Sequence, residues 1–132
     1  LACMDAVDLG FADRFFDCVI CIQNGISAFH VEPARLVRES IRIAKDGGRI
    51  FFSSYSEKFW EHRLEWFEMQ SEQGLLGEID RSATGNGRIV CRDGFTATTF
   101  SANDFDALLM DFSVRYSIHE VDQSSIFCEI KV

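Results

Sequence analysis

Proline is nearly missing from this chain, and basic residues are scarce. One proline and 9 glycines in 132 residues leave few obligatory breaks, so long regular elements are permitted. Lys and Arg number 13 against 21 Asp and Glu, which gives a net charge of −8. Non-specific nucleic-acid binding needs clustered cations to neutralise phosphates, and an anionic membrane surface needs the same, so neither partner is expected. No apolar run approaches the roughly 20 residues that a bilayer crossing needs, and no signal-like stretch stands at the start. A soluble, acidic, cytoplasmic protein is the expectation. Cysteine offers little chemistry. The 5 thiols are an odd number, and Cys18, Cys21, Cys91 and Cys128 sit inside apolar runs, where a thiol acts as a small hydrophobe. Cys18 and Cys21 have the C-x-x-C spacing of a metal or redox site. They lie in a run that reads as a strand, however, where residues three apart point to opposite faces. No second pair with zinc spacing follows, so no metal is expected, and the compartment reads as reducing.

What is abundant is apolar surface. The hydrophobic fraction is 47% and Phe occurs 13 times, enough for one domain over 1–132 with a real core. Cys18-Val19-Ile20-Cys21-Ile22 is an unbroken apolar run, as in a parallel strand buried on both faces. Gln23-Asn24-Gly25 ends it. Pro33 suits the first turn of a helix running to about Ala44, with Val37, Ile41 and Ala44 on one face. Gly47-Gly48 can supply the left-handed residue of its C-cap. Ile50-Phe51-Phe52 then starts a second strand, completing a strand–helix–strand crossover. The class is α/β.

Ser56 can cap a helix over roughly 57–73, stopped by Gly74. That helix carries Phe59, Trp60, Leu64, Trp66, Phe67 and Met69, more aromatic surface than one face needs. It either packs on the sheet or forms a lid whose outer aromatics line a substrate site. Arg92-Asp93-Gly94 signals a hairpin between Arg88–Cys91 and Phe95–Thr99. Ser101-x-x-Asp104 is a capping box before a helix with Phe105, Leu108, Leu109 and Phe112 as its stripe. A final hairpin turns at Asp122-Gln123, and Ile126, Cys128, Ile130 and Val132 alternate as a half-buried strand should.

The order of these features resembles the middle and end of small-molecule class I S-adenosylmethionine-dependent methyltransferases. Met4-Asp5-Ala6, Leu9 and Asp13-x-x-Phe16-Asp17 are similar to the stretch from the family's third strand to its fourth. Arg38-Glu39-x-x-Arg42-x-x-Lys45-Asp46-Gly47-Gly48 resembles the Glu-x-x-Arg-x-x-Lys-Pro-Gly-Gly that precedes the fifth, with Asp46 where the family usually has Pro. The terminal hairpin is similar to the family's sixth and seventh strands. The resemblance implies a partial Rossmann-like fold with strands four, five, seven and six contiguous and an insertion, helix then hairpin, over 57–99. The family's Gly-x-Gly cofactor loop has no counterpart, since Gly85-Asn86-Gly87 does not precede a helix. The chain does not open on Met, and Leu1-Ala2-Cys3-Met4 has the character of a strand end, so a fragment is expected. Strand four would then be an open apolar edge, inviting a homodimer through Val19–Ile22.

By that resemblance the cofactor is S-adenosyl-L-methionine. Asp5 would accept from the adenine amino group, with Met4 and Ala6 beside the base, and Ile22 and Gln23 at the end of strand four. Cys21-Ile22-Gln23-Asn24-Gly25-Ile26-Ser27 is similar to the same strand end in glycine and sarcosine N-methyltransferases, which have Asn there. That makes Asn24 the candidate for orienting an acceptor amine or hydroxyl, with Tyr55 as a second catalytic candidate. His30 and His62 are weaker acid–base candidates, and His119 lies far along the chain. The expected activity is methyl transfer to a small molecule, with the acidic surface favouring a cationic or neutral acceptor. The alternatives are a non-catalytic interaction module pairing through its sheet edge and half of a nicotinamide-dependent oxidoreductase. The latter would want a glycine fingerprint.

Overall fold

The computed structural model describes residues 2–132; Leu1, where the N-terminal strand end was expected to begin, lies outside them. The elements run β1 (Phe16–Cys21), α1 (Gly25–Ala28), α2 (Pro33–Ile43), β2 (Ala44–Tyr55), a 3-10 turn at Glu57–Phe59, α3 (Trp60–Glu72), β3 (Arg88–Val90), β4 (Thr96–Thr98), α4 (Ala102–Leu109), β5 (Arg115–Val121) and β6 (Ser125–Lys131). Four strands form one sheet in the order β1-β2-β6-β5, and β3-β4 is a separate hairpin. β1 and β2 are parallel and joined by α2, while β6 and β5 add antiparallel. This is the expected order four, five, seven, six. Among the described residues no helix is long and apolar enough to cross a membrane.

The main core lies on one face of this sheet. Ile50 and Phe52 of β2 and Ile126, Cys128 and Ile130 of β6 meet Leu36 and Val37 of α2 and Phe105 and Leu109 of α4. The alternation of β6 brings its inward residues to a helix-covered face, as a period of two must. The capping box at Ser101 is complete: its hydroxyl accepts from the Asp104 N–H, and the Asp104 carboxylate accepts from the Ser101 N–H. The closing turn uses Asp122 and Gln123, both at positive φ (51° and 54°), which fits the tight hairpin read from the sequence.

Three expectations change, and one open alternative is decided. The Cys18–Ile22 run is not buried on both faces: β1 is an edge, with Ile20 63% and Ile22 48% exposed. No described element covers that face of it, and Cys18 is exposed with it. α2 does not end on glycine. Its C-cap is Ala44 in an extended conformation (ψ 141°), and Gly47 takes its left-handed φ of 79° in a bulge within β2. Gly48 is needed there for closeness, since a Cβ would sit 2.8 Å from the Lys45 carbonyl. Phe112 falls beyond α4, although it still packs on the main core. Finally, α3 does not lie on the sheet. Its Phe67 joins Ile79, Ile89 and Cys91 in a second, smaller core under the β3-β4 hairpin.

The stretches that carry the family resemblance are clamps. Arg42 donates from Nε and Nη2 to the two Glu39 carboxylate oxygens at 2.8 and 2.7 Å. It also donates to the Leu9 and Phe11 carbonyls, both at 2.8 Å, and to Asp13 at 2.7 Å. Glu39 in turn accepts from the Leu9 N–H at 2.6 Å. The Glu-x-x-Arg pair thus pins the loop that leads from Asp5 into β1. Hydrogen bonding to Arg42 holds the Glu39 carboxyl below its ordinary range. Asp17 of the Phe-Asp pair receives Lys45 on both oxygens at 2.9 Å, which lowers its pKa as well. Asp46, standing where the family has proline, pairs with Arg14 at 3.3 Å.

Candidate active site

The parallel strands β1 and β2 end side by side, and ligands of open α/β sheets bind at such carboxyl ends. The chain turns sharply after β1: Gln23 and Asn24 both have positive φ, at 57° and 65°. An asparagine tolerates that region better than most residues. Two latches hold the turn against β2. The Gln23 N–H donates to Ser53 Oγ at 2.9 Å, and the Asn24 N–H donates to the Ser53 carbonyl at 3.0 Å.

Asn24 is buried, at 5% exposure, and its side chain joins three segments. Its Oδ1 accepts from Ser54 Oγ at 2.7 Å, and its Nδ2 donates to the Thr98 carbonyl of β4 at 3.0 Å. Ser54 Oγ also accepts from the Phe100 N–H at 2.8 Å. The end of β1, the end of β2 and the insertion hairpin are therefore one hydrogen-bonded joint. An amide oxygen has two lone pairs and an amide nitrogen two protons, so each end of Asn24 keeps one unused valence.

Beside this joint lies a cavity of about 770 Å³. Ile22, Gln23, Asn24 and Tyr55 line it from the strand ends, and α3 closes it with His62, Arg63 and Trp66. A second cavity, of about 530 Å³, lies along β1 and is lined by Met4, Asp5, Ala6, Leu9 and Ile20. The sequence-derived cofactor residues are therefore divided: Met4, Asp5 and Ala6 share the second cavity, while Ile22 and Gln23 share the first with Asn24 and Tyr55. One Asp5 oxygen accepts from the Val7 N–H at 3.0 Å; the other carboxylate oxygen is available to an amino group. Exposed Met4 and half-buried Ala6 give a soft, apolar flank. An acceptor oxygen beside an apolar flank fits the amino group and face of an adenine ring. Of the histidines, His62 is exposed at the mouth of the first cavity, His30 lines neither, and His119 hydrogen-bonds Ser117 on β5 at 3.1 Å. Among the described residues no three His, Cys, Asp or Glu side chains converge as a metal would require. Burial raises the Cys21 thiol to about 11, which leaves it protonated and unreactive at neutral pH.

Residues 1–52 match the methyltransferase domain family. Among solved structures, a SAM-dependent methyltransferase from Methanosarcina mazei superposes with a TM-score of 0.63 at 17% identity, over 97% of this chain and 64% of its own. The chain has the class I methyltransferase fold. The same methyltransferase fold is shared with a protein from Pyrococcus horikoshii (TM-score 0.65, 18% identity, 97% of this chain and 59% of that one). A possible histamine N-methyltransferase from Thermotoga maritima also matches (TM-score 0.60, 16% identity, 96% of this chain and 60% of that one). The chain thus spans about three fifths of the length of these structures. No curated protein matches it.

Sequence reasoning missed Arg63, Ser53 and Ser54. Glu61-His62-Arg63 reads as a solvated stretch of helix, and His62 is indeed exposed. Arg63, next to it, is 1% exposed. The signal available was position: Arg63 and Phe67 are four apart on α3, so they share a face.

Proposed function

We propose that this chain contributes the acceptor-side half of an S-adenosylmethionine-dependent methyltransferase that acts on a small molecule. The observation that carries the reading is the cavity at the joined carboxyl ends of β1 and β2, walled by an insertion with its own core. Met4, Asp5 and Ala6 would hold the adenine of the cofactor, whose electrophilic methyl group is the chemistry it supplies. The chain's own task is to desolvate and align the nucleophile, since an in-line displacement gains mainly from orientation. Asn24 has one lone pair and one proton free to direct an acceptor amine or hydroxyl, and Tyr55 lines the same cavity. The test is methyl transfer from labelled cofactor by the full-length chain, with Asn24→Ala beside it. We expect that variant to lower turnover more than cofactor affinity. Equal loss of both, or of neither, would reject the orienting role.

The exposed apolar edge favours a second reading, a module that pairs through β1. Ile20 and Ile22 lie open beside unpaired backbone groups, which is the geometry of strand addition. Sedimentation at high concentration decides this one: a clean monomer of these 132 residues would reject it.

A further inference from the structure

Among the described residues Arg63 is the largest fully buried side chain. From α3 it lines the cavity at the strand ends. Only one of its three guanidinium nitrogens is satisfied: Nη1 donates to the Gly87 carbonyl at 2.9 Å and to Thr99 Oγ1 at 2.6 Å. Nε and Nη2 are buried and have no hydrogen-bond partner among the described residues. Among the described residues no ion pair includes Arg63. A buried cation without a carboxylate is costly, and its unsatisfied N–H groups add to that cost. The rings of Tyr55 and Phe67, 4.9 and 5.6 Å from the guanidinium carbon, offset part of it. A ring face attracts the charge weakly, and it leaves Nε and Nη2 without an acceptor. These two nitrogens form one edge of the fork, the edge that takes a carboxylate or phosphate in the bidentate manner.

We propose that Arg63 anchors an oxyanion, a carboxylate or a phosphate-type group, on an aromatic or otherwise apolar ligand held in this cavity. Calling that ligand the methyl acceptor rests on the methyltransferase reading above; the anion selectivity does not. Phe59, Trp66 and Phe127 line the same cavity and supply the apolar walls. Because Nε and Nη2 are covered, the anion meets them when the half-buried Tyr55 ring, which overlies the guanidinium, shifts aside. The negative surface of the whole chain favours cations at long range, but a buried charge in low dielectric governs what is retained at short range.

The test titrates the full-length chain with four probes of one shape, followed by tryptophan fluorescence: phenylacetate, phenyl phosphate, phenylacetamide and phenethylamine. We expect at least one anion to bind roughly tenfold or more tighter than the amide and the amine, as a charged hydrogen-bonded pair provides. Which anion wins tells a carboxylate ligand from a phosphate one, and either supports the proposal. Arg63→Met should bring the preferred anion down to the affinity of the amide, and Arg63→Lys should fall between, since it keeps the charge without the fork. Equal binding of anion and amide would overturn the proposal, as would a folded Arg63→Met that keeps the preference. If Arg63→Met does not fold, the Arg63 Nε–H resonance of the parent decides: displacement by the anion supports the site, and an unmoved resonance at saturation rejects it. Anion preference without any methyl transfer would sink the methyltransferase reading and leave Arg63 an anion site. Transfer to phenethylamine together with equal binding of anion and amide would sink the proposal and keep that reading.

Discussion

Two arginines divide the molecule. Arg42, in the clamp beneath the loop that enters β1, has a side chain 32% exposed, yet Nε and both Nη groups have partners among carboxylates and carbonyls. Arg63, in the insertion, is 1% exposed and uses one nitrogen. Physics alone would arrange them the other way, because solvent could serve the exposed one and burial penalises the other. The difference teaches what each region is for. A saturated arginine in a family motif holds a loop in place and has nothing left to bind with. An unsaturated arginine lining a cavity is a cost to folding, the kind of cost that binding sites carry.

The largest expected effect comes from breaking the saturated side. Arg42→Met should give the largest drop in the urea midpoint, because Glu39 loses its partner and the Leu9 and Phe11 carbonyls lose a donor. An unchanged midpoint would mean that water replaces those bonds and that the clamp holds nothing. Next comes the joint between the two regions. Ser54→Ala removes the buried donor to Asn24 and the part-buried acceptor for the Phe100 N–H, and should cost about 1–2 kcal/mol. A smaller loss would show that the insertion is attached by its packing instead. Arg63→Met, measured the same way, should be nearly neutral or stabilising by up to about 1 kcal/mol, since it deletes a buried, poorly paired charge. A loss as large as that of Arg42→Met would erase the contrast and make Arg63 structural.

The smallest effect is in the pH dependence. Glu39 and Asp17 have lowered folded-state pKa values because of Arg42 and Lys45. Their stabilisation is therefore present above the ordinary carboxylate range and is lost as pH falls through it toward the lowered values. Urea midpoints taken at descending pH should fall less steeply in Arg42→Met than in the parent. Arg63→Met should run parallel to the parent, and a changed slope there would reveal a carboxylate coupled to Arg63.

Much of the fold was legible because periodicity reports burial directly. The α2 stripe, the capping box at Ser101 and the alternation of β6 each follow from local geometry, and the order of the motifs implied the order of the strands. What misled was context. Cys18–Ile22 is apolar enough for two buried faces, but residues alone do not say whether a neighbour covers the second face. Gly47-Gly48 has the composition of a helix cap and serves instead as a bulge, because the parallel pairing with β1 already claims Ala44 as an extended residue. Asn24 was legible as a turn residue, whereas its bonds to Ser54 and Thr98 span 30 and 74 positions of sequence.

The sequence by itself determined most of the helix and strand segments, their order and the family they resemble, since these depend on spacing within short windows. Only the tertiary structure decided that α3 folds onto its own hairpin, that Arg63 is buried while His62 beside it is exposed, and that two of the Arg63 nitrogens lack partners. Burial is a property of what arrives from elsewhere in the chain. Beyond the four-residue spacing to Phe67, nothing nearby in the chain marks Arg63, because Gly87 and Thr99, which hold it, and Tyr55, which covers it, are brought there by the fold.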